Sequence, residues 1–164
     1  MTDTLVIYYS FTGNAKKVAN YVKEKKNADI LKLEPKTPFS SYDEVVDEWQ
    51  NNDIKRDVEI KDINVDLSKY KNIVLITCTW WYGINPVMKR FFFFYDLSGK
   101  NIITASTNAG WIGHSLKDYG ALLKGSNIKG ELNLRFSSSE GNRDEMITSK
   151  NKEINRLVVW VLRI

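Results

Sequence analysis

The chain has 164 residues, 43% hydrophobic and 27% charged, enough to bury one proper core and ordinary for a soluble globular protein. Its net charge of +4 comes from lysines interleaved with acids, as in Lys23-Glu24-Lys25-Lys26 and Lys150-Asn151-Lys152-Glu153, so it reads as a solvated face and not as a nucleic-acid footprint. The single cysteine, Cys78, rules out an internal disulfide and a cysteine-based zinc site; the apolar runs Phe91–Tyr95 and Leu157–Leu162 are far shorter than the ~20 residues of a membrane span, and no signal-like segment follows Met1, so the cytoplasm is the expected location.

The first predicted strand, Thr4–Tyr9, runs straight into Ser10-Phe11-Thr12-Gly13-Asn14 and a helix over Asn14–Lys26. That helix carries Val18, Tyr21 and Val22 on one face, with Lys16, Lys17 and Lys23 turned outward. A second strand, Asp29–Glu34, stops at Pro35. After the loop Pro35–Ser41, Ser41 can cap a helix over Tyr42–Asn52, with Glu44 at its third position. Asp53–Tyr70 is a polar connector with a short extended piece at Val58–Ile63. Asn72–Thr77 is an interior strand, because its apolar and β-branched residues run without alternation. The loop Cys78–Asn85 leads to a helix over Pro86–Tyr95, where Pro86 suits the first turn. After the turn Asp96–Gly99 come a fourth strand, Lys100–Ser106, the loop Thr107–His114 and a helix over Ser115–Leu123. A fifth strand, Asn127–Phe136, is irregular at Gly130. The last helix, from about Arg143 to Arg163, buries Ile147, Ile154, Leu157, Val158 and Val161. Strand and helix alternate throughout, so the fold class is α/β: an open doubly wound five-stranded parallel sheet with helices on both faces, in a single domain over residues 1–164.

In such a sheet ligands bind beyond the carboxyl ends of the strands, and three loops there are unusual. The first, Ser10 to Ala15, sets hydroxyls and backbone N–H groups at a helix N-terminus, a place that holds phosphate without needing Lys or Arg. The second offers Trp80, Trp81 and Tyr82 beside the permissive Gly83. The third is a bent loop in which Gly110 and Gly113 allow close approach. A planar polar heterocycle with a phosphate tail would satisfy all three. His114, the only histidine, sits at a helix start and reads as a surface or capping residue.

From Thr4 to the last helix the chain resembles a flavodoxin, in its small Trp-Trp-Gly-type subgroup. Ser10-Phe11-Thr12-Gly13-Asn14-Ala15 is similar to that family's phosphate loop, and Trp80-Trp81-Tyr82-Gly83 to its flavin-stacking loop. The resemblance implies the strand order 2-1-3-4-5, for which flavodoxin itself is the standard example, with FMN at the switch point. It further implies that Ser10, Thr12, Asn14 and the local amides of Phe11, Gly13 and Ala15 hold the FMN phosphate, and that Trp81 or a neighbour among Thr79–Tyr82 stacks on the isoalloxazine. The peptide near Gly83 would face flavin N5, and Thr107, Asn108, Ala109, Gly110 and Gly113 would line the pyrimidine edge, with Trp111 as a cover. The implied activity is electron transfer, the flavin cycling between oxidised, semiquinone and hydroquinone states while no side chain serves as acid or base. The implied partners are a reductase and an acceptor protein, with no nucleic acid and no membrane, and the chain is expected to be a monomer or weak dimer.

The chain departs from the family pattern at Ala15, where a Thr is common, at Thr79, where relatives often carry Pro, and at Asn108-Ala109, where glycine is richer. It is also basic where flavodoxins are usually acidic. Two other readings stand beside the carrier: an FMN-dependent NAD(P)H oxidoreductase of quinone-reductase type, and a degenerate family member serving as an interaction module without flavin. Other chemistries lack their motifs. There is no Gly-x-Gly-x-x-Gly or Gly-Lys-Ser/Thr loop and no Gly-x-Ser-x-Gly elbow. A receiver domain needs acids where Ser10 and Thr77 stand, a cysteine phosphatase needs Arg where Ile84 stands, and no His and carboxylate cluster suggests a metal.

Overall fold

Continuous apolar strands need cover on both faces, and the sheet provides it. The computed structural model describes residues 2–52, 55–136 and 152–164. Its strands are β1 (Thr4–Tyr8), β2 (Asp29–Lys32), β3 (Asn72–Trp80), β4 (Gly83–Ile84), β5 (Asn101–Asn108) and β6 (Asn127–Arg135). Five of them pair in parallel in the order β2-β1-β3-β5-β6, while β4 folds back antiparallel on the end of β3. With β4 outside the parallel run, this is the expected 2-1-3-4-5 topology.

The helices are α1 (Asn14–Lys26), α2 (Tyr42–Val46), α3 (Pro86–Phe94), α4 (Ser115–Leu122) and α5 (Lys152–Arg163). Strand residues alternate between faces. Leu5, Ile7, Ile73, Leu75 and Ile102 pack against Val87, Met88 and Phe91 of α3 and Tyr119 of α4. Val6, Val74, Ile76, Ile103 and Ala105 meet Val18, Ala19 and Val22 of α1 and Ile154, Leu157 and Val161 of α5. The inner strands therefore lack polar alternation. Edge strand β6 instead alternates, burying Leu132 and Leu134 and exposing Glu131, Asn133 and Arg135.

Several boundaries move, each for a local reason. β3 extends past Thr77 to Trp80, because Cys78 pairs with Thr107 of β5 and Thr79 and Trp80 pair with Ile84 and Gly83. Much of the expected loop Cys78–Asn85 is thus a hairpin. The helix expected over Tyr42–Asn52 is capped as predicted, Glu44 N–H donating to Ser41 Oγ at 3.1 Å. It is α-helical only to Val46 and then widens to a π turn over Asp47–Asn51 that sets Trp49 against Phe39 and Trp80. β2 ends at Lys32, and the expected extended piece Val58–Ile63 makes one antiparallel bridge, Ile60 with Pro35. The irregularity at Gly130 is a register shift, Ile102 and Ile103 facing Ile128 and Gly130; a Cβ at Gly130 would lie 2.2 Å from the Trp160 ring of α5. The predicted start of the last helix at Arg143, and Ile147 with it, lie outside the described residues; Val158 is half-buried where full burial was expected. No helix among the described residues is long and apolar enough to cross a membrane.

Candidate functional site

The first loop is shaped by one left-handed glycine. Gly13 is the N-cap of α1 with φ 97°, and no side chain caps the helix. The first helical bond runs from Lys17 N–H to the Gly13 carbonyl at 3.0 Å. The amides of Asn14, Ala15 and Lys16 therefore precede the helical ladder and point out of the helix start. No acidic residue stands in this first turn. Ser10 Oγ accepts the Gly13 N–H at 3.1 Å, leaving the Ser10 O–H as a donor. Thr12 is exposed, and Ser10, Gly13 and Asn14 are half-buried. Ala15 is buried with the α1 core, so a larger side chain there would meet the sheet. Phe11 packs edge-on against Phe39 and Trp80, with ring centroids 6.5 and 5.9 Å away, and so anchors the loop.

The second loop is a tight hairpin. Trp81 (φ 41°) and Tyr82 (φ 67°) both take the left-handed conformation, as a two-residue turn of this hand requires, although neither is Gly or Asn. Each costs roughly 1–2 kcal/mol relative to ordinary backbone. The three adjacent aromatics separate. Trp80 enters the core, boxed by Tyr9, Phe11, Phe39 and Trp49 at 5.0 to 6.1 Å. Trp81 is half-buried and donates from Nε1 to Gln50 Oε1 at 3.2 Å. Tyr82 is 50% exposed and lies against Trp111, itself 68% exposed, with ring centroids 4.5 Å apart.

Gly83 is buried and has no positive φ. Space explains it, since a Cβ there would lie 3.0 Å from His114 Cε1 and 3.2 Å from Asp118 Oδ2. The Tyr82 carbonyl, part of the peptide expected near N5, accepts the His114 N–H at 2.6 Å. Thr79 turns inward, its Oγ1 in hydrogen bonds with Ser106 Oγ at 3.0 Å and Ser115 Oγ at 3.2 Å. Beneath the hairpin Asn85 is fully buried; it accepts the Met88 N–H at 3.0 Å to cap α3 and donates to the Cys78 carbonyl at 2.9 Å and to Thr77 Oγ1.

In the third loop, Thr107 and Asn108 belong to β5. The Thr107 hydroxyl donates to the Thr77 carbonyl at 3.1 Å and is buried. Asn108 organises the bend: its Oδ1 accepts the Gly110 N–H at 3.1 Å and its Nδ2 donates to Asn133 Oδ1. Ala109 and Gly110 are exposed, with the Arg135 guanidinium 3.8 Å from where a Gly110 Cβ would stand. Gly113 (φ 58°) packs so tightly on the hairpin that a Cβ would fall 2.3 Å from Tyr82 Cα, Cβ and O. His114 occupies the N-cap position of α4 without capping it; its ring pairs with Asp118 instead, Nδ1 to Oδ2 at 2.8 Å.

The carboxyl edge thus brings the Ser10–Asn14 turn, Trp81, Tyr82, Ala109, Gly110, Trp111 and Gly113 to one rim, while the side chains of Phe11, Ala15, Thr79, Trp80 and Thr107 are committed to the fold. Burial pushes the Cys78 thiol up to about 11, against the backbone hydrogen bond from Phe11. The thiol is therefore neutral at physiological pH. Among the described residues no group of three or more His, Cys, Asp and Glu could hold a metal ion. Sequence reasoning missed the His114–Asp118 pair and the left-handed hairpin. The spacing of four residues at the start of a helix was the one signal for the pair.

A doubly wound sheet with an anion-ready helix start and aromatic loops at its carboxyl edge defines the flavodoxin-like class. The family model described as flavodoxin matches residues 3–148, and the chain belongs to that family. No curated protein sequence matches it. Among solved structures it is similar to a candidate flavoprotein from Bacteroides eggerthii DSM 20697, with a TM-score of 0.75 and 20% identity over 100% of this chain and 99% of that one. A second candidate flavoprotein, from Bacteroides uniformis ATCC 8492, gives 0.71 and 20% over 89% and 98%. A flavoprotein in complex with FMN from Lactobacillus acidophilus NCFM gives 0.65 and 22% over 81% and 93%. At these identities the likeness is one of fold.

Proposed function

We propose that this chain binds FMN without a covalent bond and carries electrons between redox partner proteins. The observation that carries the reading is the uncapped start of α1, where amides precede the helical ladder, the Ser10 hydroxyl remains free to donate and no acid opposes an anion. A side chain at Gly13 would meet nothing within 4 Å, so space remains open beside those donors. This donor set fits a dianionic phosphate. Family membership and the FMN complex of the Lactobacillus acidophilus relative favour the same ligand.

On this reading Ser10, Thr12 and the amides of Asn14 and Ala15 would hold the phosphate. Trp81, Tyr82 and Trp111 would offer ring faces to the isoalloxazine, and the Asn108–Gly110 backbone would meet its polar edge. FMN supplies the one- and two-electron chemistry when bound. The chain's own residues bind, orient and exclude water. Indole and phenol faces favour a neutral over an anionic ring, and the protonated Cys78 thiol adds no charge. No side chain is assigned a proton-transfer role.

The test is the visible spectrum of the purified protein with and without added FMN, followed by NADPH. Flavin absorbance that NADPH leaves intact until a reductase is added supports a carrier. Rapid bleaching by NADPH alone would instead identify an oxidoreductase, and no flavin uptake would leave an interaction module.

A further inference from the structure

We propose that His114, tied to Asp118, is the positioning residue that holds the Trp81–Tyr82 turn in its ring-presenting conformation; this rests on the FMN reading above. Two successive bulky residues in left-handed backbone do not hold themselves there. The local sequence is not the Asn-Gly type that favours such a turn, so the restraint must come from elsewhere in the fold.

It comes from the third loop. The His114 backbone N–H, which a substitution at this position retains, donates to the Tyr82 carbonyl at 2.6 Å; the side chain adds a second link through Asp118. Asp118 Oδ2 accepts from His114 Nδ1 at 2.8 Å and from the Ile84 N–H at 3.4 Å. One carboxylate oxygen therefore joins the imidazole to the returning strand of the hairpin. The imidazole lies beside Gly83, and Gly113 packs against Tyr82. His114 stands where a Ser, Thr or Asp would cap α4, yet its side chain caps nothing. The imidazole instead pairs with Asp118 and lies beside Gly83. Trp111, three residues earlier, leans on the Tyr82 ring at 4.5 Å, so the second and third loops pack against each other.

Three variants separate the hydrogen-bonded pair from mere bulk. His114→Asn keeps an N–H donor near the Nδ1 position, His114→Phe keeps a ring beside Gly83 without the donor, and His114→Ala keeps neither. Each is measured as apo protein by near-ultraviolet circular dichroism above about 280 nm, with Trp111→Phe as the reference that isolates the Tyr82–Trp111 contribution, and by titration with riboflavin and with FMN. The expected result is a changed aromatic signal in the Ala and Phe variants, with riboflavin and FMN weakened by the same factor, about two- to fivefold for an ion-type pair this exposed. His114→Asn restores both readouts. Unchanged dichroism and riboflavin affinity in His114→Phe would overturn the proposal, as would a folded His114→Asn that behaves like His114→Ala. If the unmodified protein takes up neither ligand, the FMN reading fails, and the dichroism series alone still decides whether the pair sets the turn.

Discussion

At the scale of single residues, two glycines with positive φ do opposite jobs. Gly13 (φ 97°) has open space where a side chain would go, so its constraint is backbone hand alone. Gly13→Val should distort the Ser10–Asn14 turn and leave the core intact, weakening FMN at least about tenfold while riboflavin, which lacks the phosphate, is little affected. Thr12→Ala should act in the same direction by about 1 kcal/mol, one hydroxyl contact; parallel fluorescence titrations with both ligands measure each. Gly113 (φ 58°) is constrained by space as well, because a Cβ would overlap Tyr82 at 2.3 Å. Gly113→Ala should destabilise the fold by about 1–3 kcal/mol, the cost of forcing atoms into a filled site. Tyr82→Gly exchanges backbone strain against the lost Trp111 contact and should change stability by less than about 1 kcal/mol. Urea unfolding of the two variants checks the contrast; similar losses would show that Tyr82 is not strained.

At the scale of elements, the link between β4 and α3 depends on one buried amide. Asn85 caps α3 through Met88 N–H and satisfies the Cys78 carbonyl. Asn85→Ala should cost about 1–3 kcal/mol, a cap plus an orphaned buried acceptor, visible as a lower urea midpoint. A loss under about 0.5 kcal/mol would mean that water replaces it. The elements most legible in the sequence were those with unbroken apolar runs or a clear cap, β1, β3, β5 and the start of α2, together with α1, whose Val18, Tyr21 and Val22 fall at helical spacing. The β3–β4 hairpin was hidden because Trp81-Tyr82 carries no turn signature, and its conformation is imposed by Gly113 and His114 about thirty residues away in the chain. The π turn at Asp47–Asn51 was equally hidden, since what it achieves is the tertiary contact of Trp49 with Phe39 and Trp80. Sequence placed three aromatics in one loop but could not tell that Trp80 turns inward. The topology came from resemblance, because strand order leaves no trace in local pattern.

At the scale of the whole molecule, burial sets an alkaline limit. Cys78 is raised by burial to about 11 from an ordinary 9.0, and Tyr9 and Tyr119 are raised above 10.0 chiefly by the same cause. The unfolded chain therefore releases protons that the folded one keeps, and stability falls as pH rises. The loss should begin near pH 9 with Cys78 and steepen past pH 10 as the tyrosines join, and Cys78→Ala should remove its first part. Urea midpoints from pH 7 to 11 measure it, and a flat profile would contradict the raised titration of these three groups. The same packing leaves the three loops at the carboxyl edge as the proposed FMN site, where the phosphate end would be built from backbone and the ring end from strained aromatics. Calorimetric titration of the apo protein with FMN and, in parallel, with riboflavin tests this most directly. The account predicts saturable heat at one FMN per chain and riboflavin weaker by at least about tenfold, the phosphate contribution. No heat with FMN, or equal affinity for the two, would contradict it.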